Sequence, residues 1–276
     1  MSQYQIITDA CADLPVKLVE ELGVHVIPMS FNFGEESYTH YPDEREYTAK
    51  DFFDRLRNGD MSTTNQINQA EFTDVFESYL QNGVDVLYIG FSSALSGTYH
   101  NSVMVAEELG LPVVKVQHHY AHILSCMAEN DCAEQVIGVS FDGTGYGTDG
   151  TIWGGEILLS DLDGFTRVGS VMPFLQVGGD ASSKEGWRIA VSLIYGMTGD
   201  RKKAAEITEK LELCTKQEAN VQFTMADRKI NAVVSTSVGR LFDAVSAILG
   251  IRLKSGFEGE ASTALQFAAE AYEQQN

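Results

Sequence analysis

Residues 84–99 read VDVLYIGFSSALSGTY. The run from Val84 to Ile89 is almost continuously apolar, as strands buried on both faces of a parallel sheet usually are. Ser92, Ser93, Ser96 and Gly97 then turn the chain into a helix that continues through Leu109. Strand, Ser/Gly turn and helix in that order make the repeating unit of a sheet with helices packed on it. Toward the N-terminus, residues 3–8 form another short apolar strand that ends at Asp9. Helical spacing follows over residues 15–22, and a strand pattern returns over 24–29. Thr48 is placed to cap a helix through Asn58, with Phe52, Phe53 and Leu56 on one face. Asn68 is placed to cap the next, where Phe72, Val75, Phe76 and Tyr79 recur at i, i+3, i+4 and i+7. The predicted class is α/β, a parallel or mixed sheet with flanking helices.

Toward the C-terminus the same alternation starts and then changes. Residues 113–116 read as a strand and residues 118–130 as a helix. Residues 136–141 and 151–159 read as two strands of a β-hairpin joined by the loop DGTGYGTDG. The remainder is mostly helical, around residues 187–195, 201–213, 240–249 and 259–273. No internal repeat and no low-complexity tract occurs. The 276 residues suit about two domains, and the 44% hydrophobic share provides a core. Lys and Arg number 19 against 39 Asp and Glu, a formal charge of -20. Of these, 5 basic and 18 acidic residues fall in 1–110, so that part carries -13 and the rest -7. Such a surface repels nucleic acid and anionic lipid, which excludes a nucleic-acid platform. No run of about 18 apolar residues is present, so no membrane span is predicted. The start lacks a basic-then-apolar leader, and Cys11, Cys126, Cys132 and Cys214 form no CxxC pair. A cytoplasmic protein with free thiols is the expectation.

Two polar segments of the first part suit an anion. Ser92 and Ser93 lie between a strand and a helix, where free N–H groups and the helix dipole favour negative charge. An ordinary capped turn fits the same spacing. Thr64 and Asn65 belong to a second polar loop, Ser62 to Gln66, which reads equally as an N-cap loop. With TDACADLP at 8–15 and IPMSF at 27–31, TTNQIN at 63–68 and SSALSGTY at 92–99 resemble the DegV family of fatty-acid-binding proteins. The resemblance implies that Thr64 and Ser93 hold a fatty-acid carboxylate, with Asn65 and Ser92 as neighbours. It covers about the first 110 residues, and the family's second domain is not recognisable.

In the second part, His118 and His122 stand four apart and share one face of a helix, the spacing of two ligands to one metal ion. A histidine-rich helix start is the alternative, and no HExxH motif supplies a built-in base. The hairpin loop begins at Asp142, a possible carboxylate ligand, and its glycines let backbone approach a ligand closely. A glycine-rich turn is the alternative there. VQHHYAHI with CMAEN over 116–130, VIGVSFDGTGYGTDGTIWGGEILLSD over 136–161, GGDAS with WRIA over 178–190 and STSVGRLFDAVSAILGI over 235–251 together resemble HypF-type carbamoyltransferases. EGEAS at 258–262 continues the match.

That resemblance implies a partial actin/Hsp70-like ATPase fold with a β-hairpin and a helical C-terminal part. It implies a divalent metal, iron or zinc, held by His118, His122 and Asp142. It implies Mg-ATP or carbamoyl adenylate with its phosphates at Gly143, Thr144, Gly145 and Gly147, and an acceptor protein ending in cysteine. No catalytic residue is assigned. Tyr120 stands where the family usually has another histidine. The family's acylphosphatase domain, CxxC zinc modules and carbamate-activating domain have no counterpart in these 276 residues. The two resemblances meet near residues 106–112, between a DegV-like part, 1–110, and a carbamoyltransferase part, 111–276. The expectation is therefore a chimera of a lipid-binding part and an incomplete transferase core in [NiFe] hydrogenase maturation. A DegV-type lipid carrier and an inert fusion are the alternatives. One continuous sheet and two partial modules both remain open.

Overall fold

The computed structural model describes residues 4–90 and 97–274, and the chain divides into two compact units, Met1–Val114 and Lys115–Asn276. In the first unit β1 (Tyr4–Asp9) leads through α1 (Val16–Leu22) to β2 (His25–Ile27). Then come β3 (Met29–Phe33), β4 (Glu36–His40), α2 (Ala49–Arg57) and β5 (Ser62–Thr64). α3 (Gln69–Leu80), β6 (Asp85–Tyr88) and α4 (Gly97–Glu108) complete it. β1 lies between β2 and β6, parallel to both, as the apolar runs predict. Both predicted caps form: Thr48 accepts from the Asp51 N–H, and Asn68 makes a reciprocal capping box with Glu71. Ile7, Ile27, Ile67, Phe72, Phe76 and Val105 form the core beneath this sheet.

The sequence reading missed a second sheet. β3 pairs antiparallel with β4 and with β5, so the segment read as a loop at Ser62 to Thr64 is a short edge strand. Phe31, Phe33, Tyr38, Tyr47 and Phe52 cluster against it at ring-centroid separations of 4.4 to 6.2 Å.

The second unit opens with α5 (His118–Glu129), β7 (Val136–Tyr146) and β8 (Ile152–Ser160). β9 (Phe165–Ser170), β10 (Phe174–Val177), α6 (Ala181–Lys184), α7 (Gly186–Thr198), α8 (Arg201–Lys210) and α9 (Lys216–Arg228) follow. β11 (Ala232–Ser235), α10 (Val238–Ile248) and α11 (Glu260–Glu273) close it. β8 is central: β7 and β9 pair with it antiparallel, and β11 joins it in parallel at Ser235. The glycine segment is mostly strand rather than loop. β7 runs to Tyr146 through an irregularity between Phe141 and Gly145, as a bulge would give. One helical core gathers Trp187, Ile189, Ile194, Phe223, Ala244 and Ala247. Another, of Tyr120, Ile123, Met127, Trp153 and Leu158, seats α5 on the hairpin.

Along β7, Ile137, Val139 and Phe141 are exposed. Among the described residues β7 pairs only with β8, so its outer edge is open. The predicted strand at 113–116 is absent. Val113, Val114 and Val116 are exposed, and strand-favouring side chains do not hold a strand without a neighbour to pair with. No sheet of one unit continues into the other among the described residues. No described helix is long and apolar enough to cross a membrane.

Candidate metal centre

Gln117 starts the site. Its side-chain oxygen accepts from the Tyr120 N–H at 2.9 Å and caps α5. Four-residue helical spacing then brings His118 and His122 onto one face, with Nε2 atoms 3.2 Å apart. Asp142 on β7 completes the group, its Oδ2 lying 3.0 Å from His118 Nε2. One ligand atom from each of the three lies within 4.8 Å of the other two. Two donors held 2.0–2.1 Å from a tetrahedral ion stand about 3.3 Å apart, so these separations suit a shared cation. The same distances would serve hydrogen bonds. Asp142 Oδ1 accepts from the Gly143 N–H at 2.6 Å. Asp142 Oδ2 is buried, and the imidazole nitrogens that face it are His118 Nε2 at 3.0 Å and His119 Nε2 at 3.7 Å. A buried carboxylate oxygen ringed by imidazole nitrogens suits a shared cation as well as it suits a ring proton.

His119, between the two candidate ligands, is fully buried. Burial pushes its pKa down to about 4 against the opposing pull of Asp142, so the ring is neutral at pH 7. The hairpin is shaped around these histidines. A Cβ on Gly145 would lie 2.4 Å from His119 Cε1 and 3.0 Å from His118 Cδ2. One on Gly147 would lie 2.3 Å from the Trp153 ring. These two glycines make room for protein side chains, whereas a Cβ on Gly143 would meet nothing within 4 Å. Gly143 thus has room on the side a Cβ would take, Thr144 beside it is exposed, and the start of α10 lies against Gly143. Ser237 caps α10 and donates to the Gly143 carbonyl at 2.5 Å.

Glu156 went unassigned in the sequence reading. Its carboxylate is completely buried and accepts from the Gly154 and Gly155 N–H groups, from Arg167 Nε at 2.7 Å and from Thr236 Oγ1. Arg167 also reaches Asp149 at 3.1 Å and stacks over Trp153. The available signal was a lone acidic residue inside the apolar strand WGGEILL.

In the first unit, Thr64 and Asn65 are exposed at the end of β5. Asn65 takes its place by donating N–H to Ser30 O at 2.9 Å. The loop is tied to the start of α4: Thr98 Oγ1 accepts from the Ile67 N–H at 3.2 Å, and Asn101 donates to Ile67 O at 2.8 Å. Ser92 and Ser93 lie outside the described residues.

Two family models match the chain. Residues 138–276 match the carbamoyltransferase Kae1-like domain, second subdomain, and residues 3–129 match the uncharacterised DegV family. The probable carbamoyltransferase HypF of Methanocaldococcus jannaschii is 36% identical over 176 residues, covering 62% of this chain and 23% of its own length. A DegV domain-containing protein of Clostridium perfringens is 40% identical over 109 residues, covering 40% of this chain and 37% of its own length. A crystal structure of full-length HypF in the phosphate- and nucleotide-bound form superposes with a TM-score of 0.56 at 36% identity, covering 71% of this chain and 25% of that one. The chain thus spans about a quarter of the HypF relative and over a third of the DegV relative. It is a two-part chimera with a DegV-like N-terminal part, and through residues 138–276 it belongs to the carbamoyltransferase Kae1-like domain family.

Proposed function

We propose that the second unit is the metal- and nucleotide-holding piece of a carbamoyltransferase core, and that the 276-residue chain by itself binds but does not turn over. The observation that carries the reading is the group His118, His122 and Asp142, whose ligand atoms lie within 4.8 Å of one another around a buried carboxylate oxygen. A divalent ion there would supply Lewis-acid polarisation of a phosphoryl or carbamoyl oxygen. The protein's own share is positional. Asp142 is tethered through Gly143, and the two imidazoles are held by one helix. Gly143, with room where a Cβ would be, and the exposed Thr144 stand close to the start of α10, an arrangement suited to phosphate. The remaining three quarters of the HypF relative's length has no match in this chain, so groups from elsewhere would have to complete turnover. We place the seam between the two parts near residues 106–112, and iron or zinc are the metals that two imidazoles and a carboxylate suit.

A second reading belongs to the first unit. The joint between Ile67 and the start of α4 supports the fatty-acid carboxylate site expected at Thr64 and Ser93, with Asn65 and Ser92 as neighbours. One preparation tests both. Purified without a histidine tag, the chain should carry near-stoichiometric iron or zinc by elemental analysis. His118→Ala should abolish it, and native mass spectrometry should show whether a fatty acid also travels with the protein. A metal-free wild type would overturn the first reading, and a lipid-free one the second.

A further inference from the structure

We infer that His119 is a positioning residue for Asp142: it donates its Nε2 proton to the carboxylate and does not itself ligate the ion. The inference rests on the metal reading above and adds the role of the middle histidine, which spacing alone leaves idle.

The argument is a chain of donors and acceptors. The Gln117 side-chain oxygen is fixed as an acceptor, because it receives the Tyr120 N–H at 2.9 Å. The other end of that amide must therefore be the NH₂ group. It confirms itself by donating to the Tyr146 carbonyl at 3.2 Å, an oxygen that only accepts. The same NH₂ lies 3.1 Å from His119 Nδ1. A neutral imidazole facing an N–H donor must present its bare nitrogen there, so the ring proton sits on Nε2. That nitrogen is buried, has no hydrogen-bond partner and lies 3.7 Å from Asp142 Oδ2.

A buried donor without a partner thus faces a buried carboxylate oxygen that has room for a second donor beside His118. The separation is too long for a hydrogen bond, and a small rotation of the half-buried Asp142 side chain closes it. With the proton on Nε2 and Nδ1 turned to Gln117, His119 has no lone pair to offer a metal ion. Ligating carboxylates are characteristically held by such an outer donor. His119 cannot drift, because its ring lies against Trp153, with centroids 6.1 Å apart, and against the Cα of Gly145, where any side chain would collide with it. The three histidines therefore divide their work: His118 and His122 offer lone pairs, and His119 offers a proton.

The test uses the full chain and two readouts. Ring-nitrogen NMR of the metal-free protein should show His119 as the Nε2–H tautomer. Adding zinc should move the His118 and His122 signals while leaving the His119 nitrogens in place. Cobalt titration, followed by the visible d–d bands, should show affinity falling about 10–100-fold in His119→Phe. His119→Gln, whose amide can set an N–H near the former Nε2, should recover most of the loss, which a purely space-filling role would not produce. The inference is overturned if His119 shifts with zinc as a ligand does, if it carries its proton on Nδ1, or if His119→Phe binds cobalt as tightly as wild type. Failure of wild type to bind either ion overturns the metal reading and this inference with it. Unchanged binding in His119→Phe overturns this inference alone. The zinc-free tautomer measurement needs no variant, so a misfolded His119→Phe still leaves a result.

Discussion

At the scale of single residues, Glu156 governs more than any candidate ligand. It is the buried anion into which two backbone N–H groups, Arg167 and Thr236 all converge. Truncation to alanine leaves the partly buried Arg167 guanidinium with Asp149 alone, the Thr236 hydroxyl with only the Ile152 carbonyl at 3.3 Å, and two buried N–H groups without their acceptor. Glu156→Ala should therefore lower stability by about 3–5 kcal/mol in urea unfolding, while Glu156→Gln, which keeps an acceptor, should lose less. A loss under about 1 kcal/mol for the alanine variant would show that solvent reaches the network. The candidate ligands His118 and His122 stood out in the sequence because four-residue helical spacing is a local property, and Asp142 because it follows an apolar strand and fits the family resemblance. Glu156 and His119 did not, because their importance comes from partners 80 residues and 23 residues away, and no local pattern encodes that.

At the scale of elements, Ser237 ties the hairpin to α10 through two hydrogen bonds. Ser237 accepts from the Arg240 N–H at 3.0 Å as the helix cap and donates to Gly143 O at 2.5 Å. Gly239 allows that approach, since a Cβ there would lie 2.9 Å from the Gly143 Cα. Ser237→Ala removes both bonds and should cost about 2 kcal/mol, roughly one for the cap and one for the abandoned carbonyl. Chemical denaturation checks the size. Hydrogen exchange should show faster opening at the first turn of α10 and around Gly143, rather than across the whole unit. Capped helices were readable because Thr48 and Asn68 announce themselves at the residue before the apolar period. The β3–β4–β5 sheet was not readable, since Ser62 to Thr64 is short and polar and gains its strand character only from pairing with Phe31 to Phe33. The opposite error, the strand expected at 113–116, has the same physical source: strand propensity is realised only against a neighbour.

At the scale of the whole molecule, both parentages could be read from motifs, because turns that need particular glycines and serines tolerate few alternatives. The extent of each unit was harder to read. Extended connecting segments such as residues 111–117 carry apolar letters that imitate structure. One quantity was fully available from the start, the charge of -20, and it bears on the open edge of β7. That edge offers unpaired backbone groups beside Ile137, Val139 and Phe141, without a lysine to blunt it, which is how strands recruit other strands. Mutual repulsion between equally acidic copies opposes the encounter. The consequence is colloidal. At about 10 mM salt, where the Debye length is roughly 30 Å, the chains should stay dispersed; at about 1 M, where it is roughly 3 Å, light scattering should rise with protein concentration. Val139→Lys should remove that salt sensitivity, and an equally sticky variant would move the fault away from this edge. Dispersal of this protein in water is then set less by how well it folds than by how much salt it is kept in.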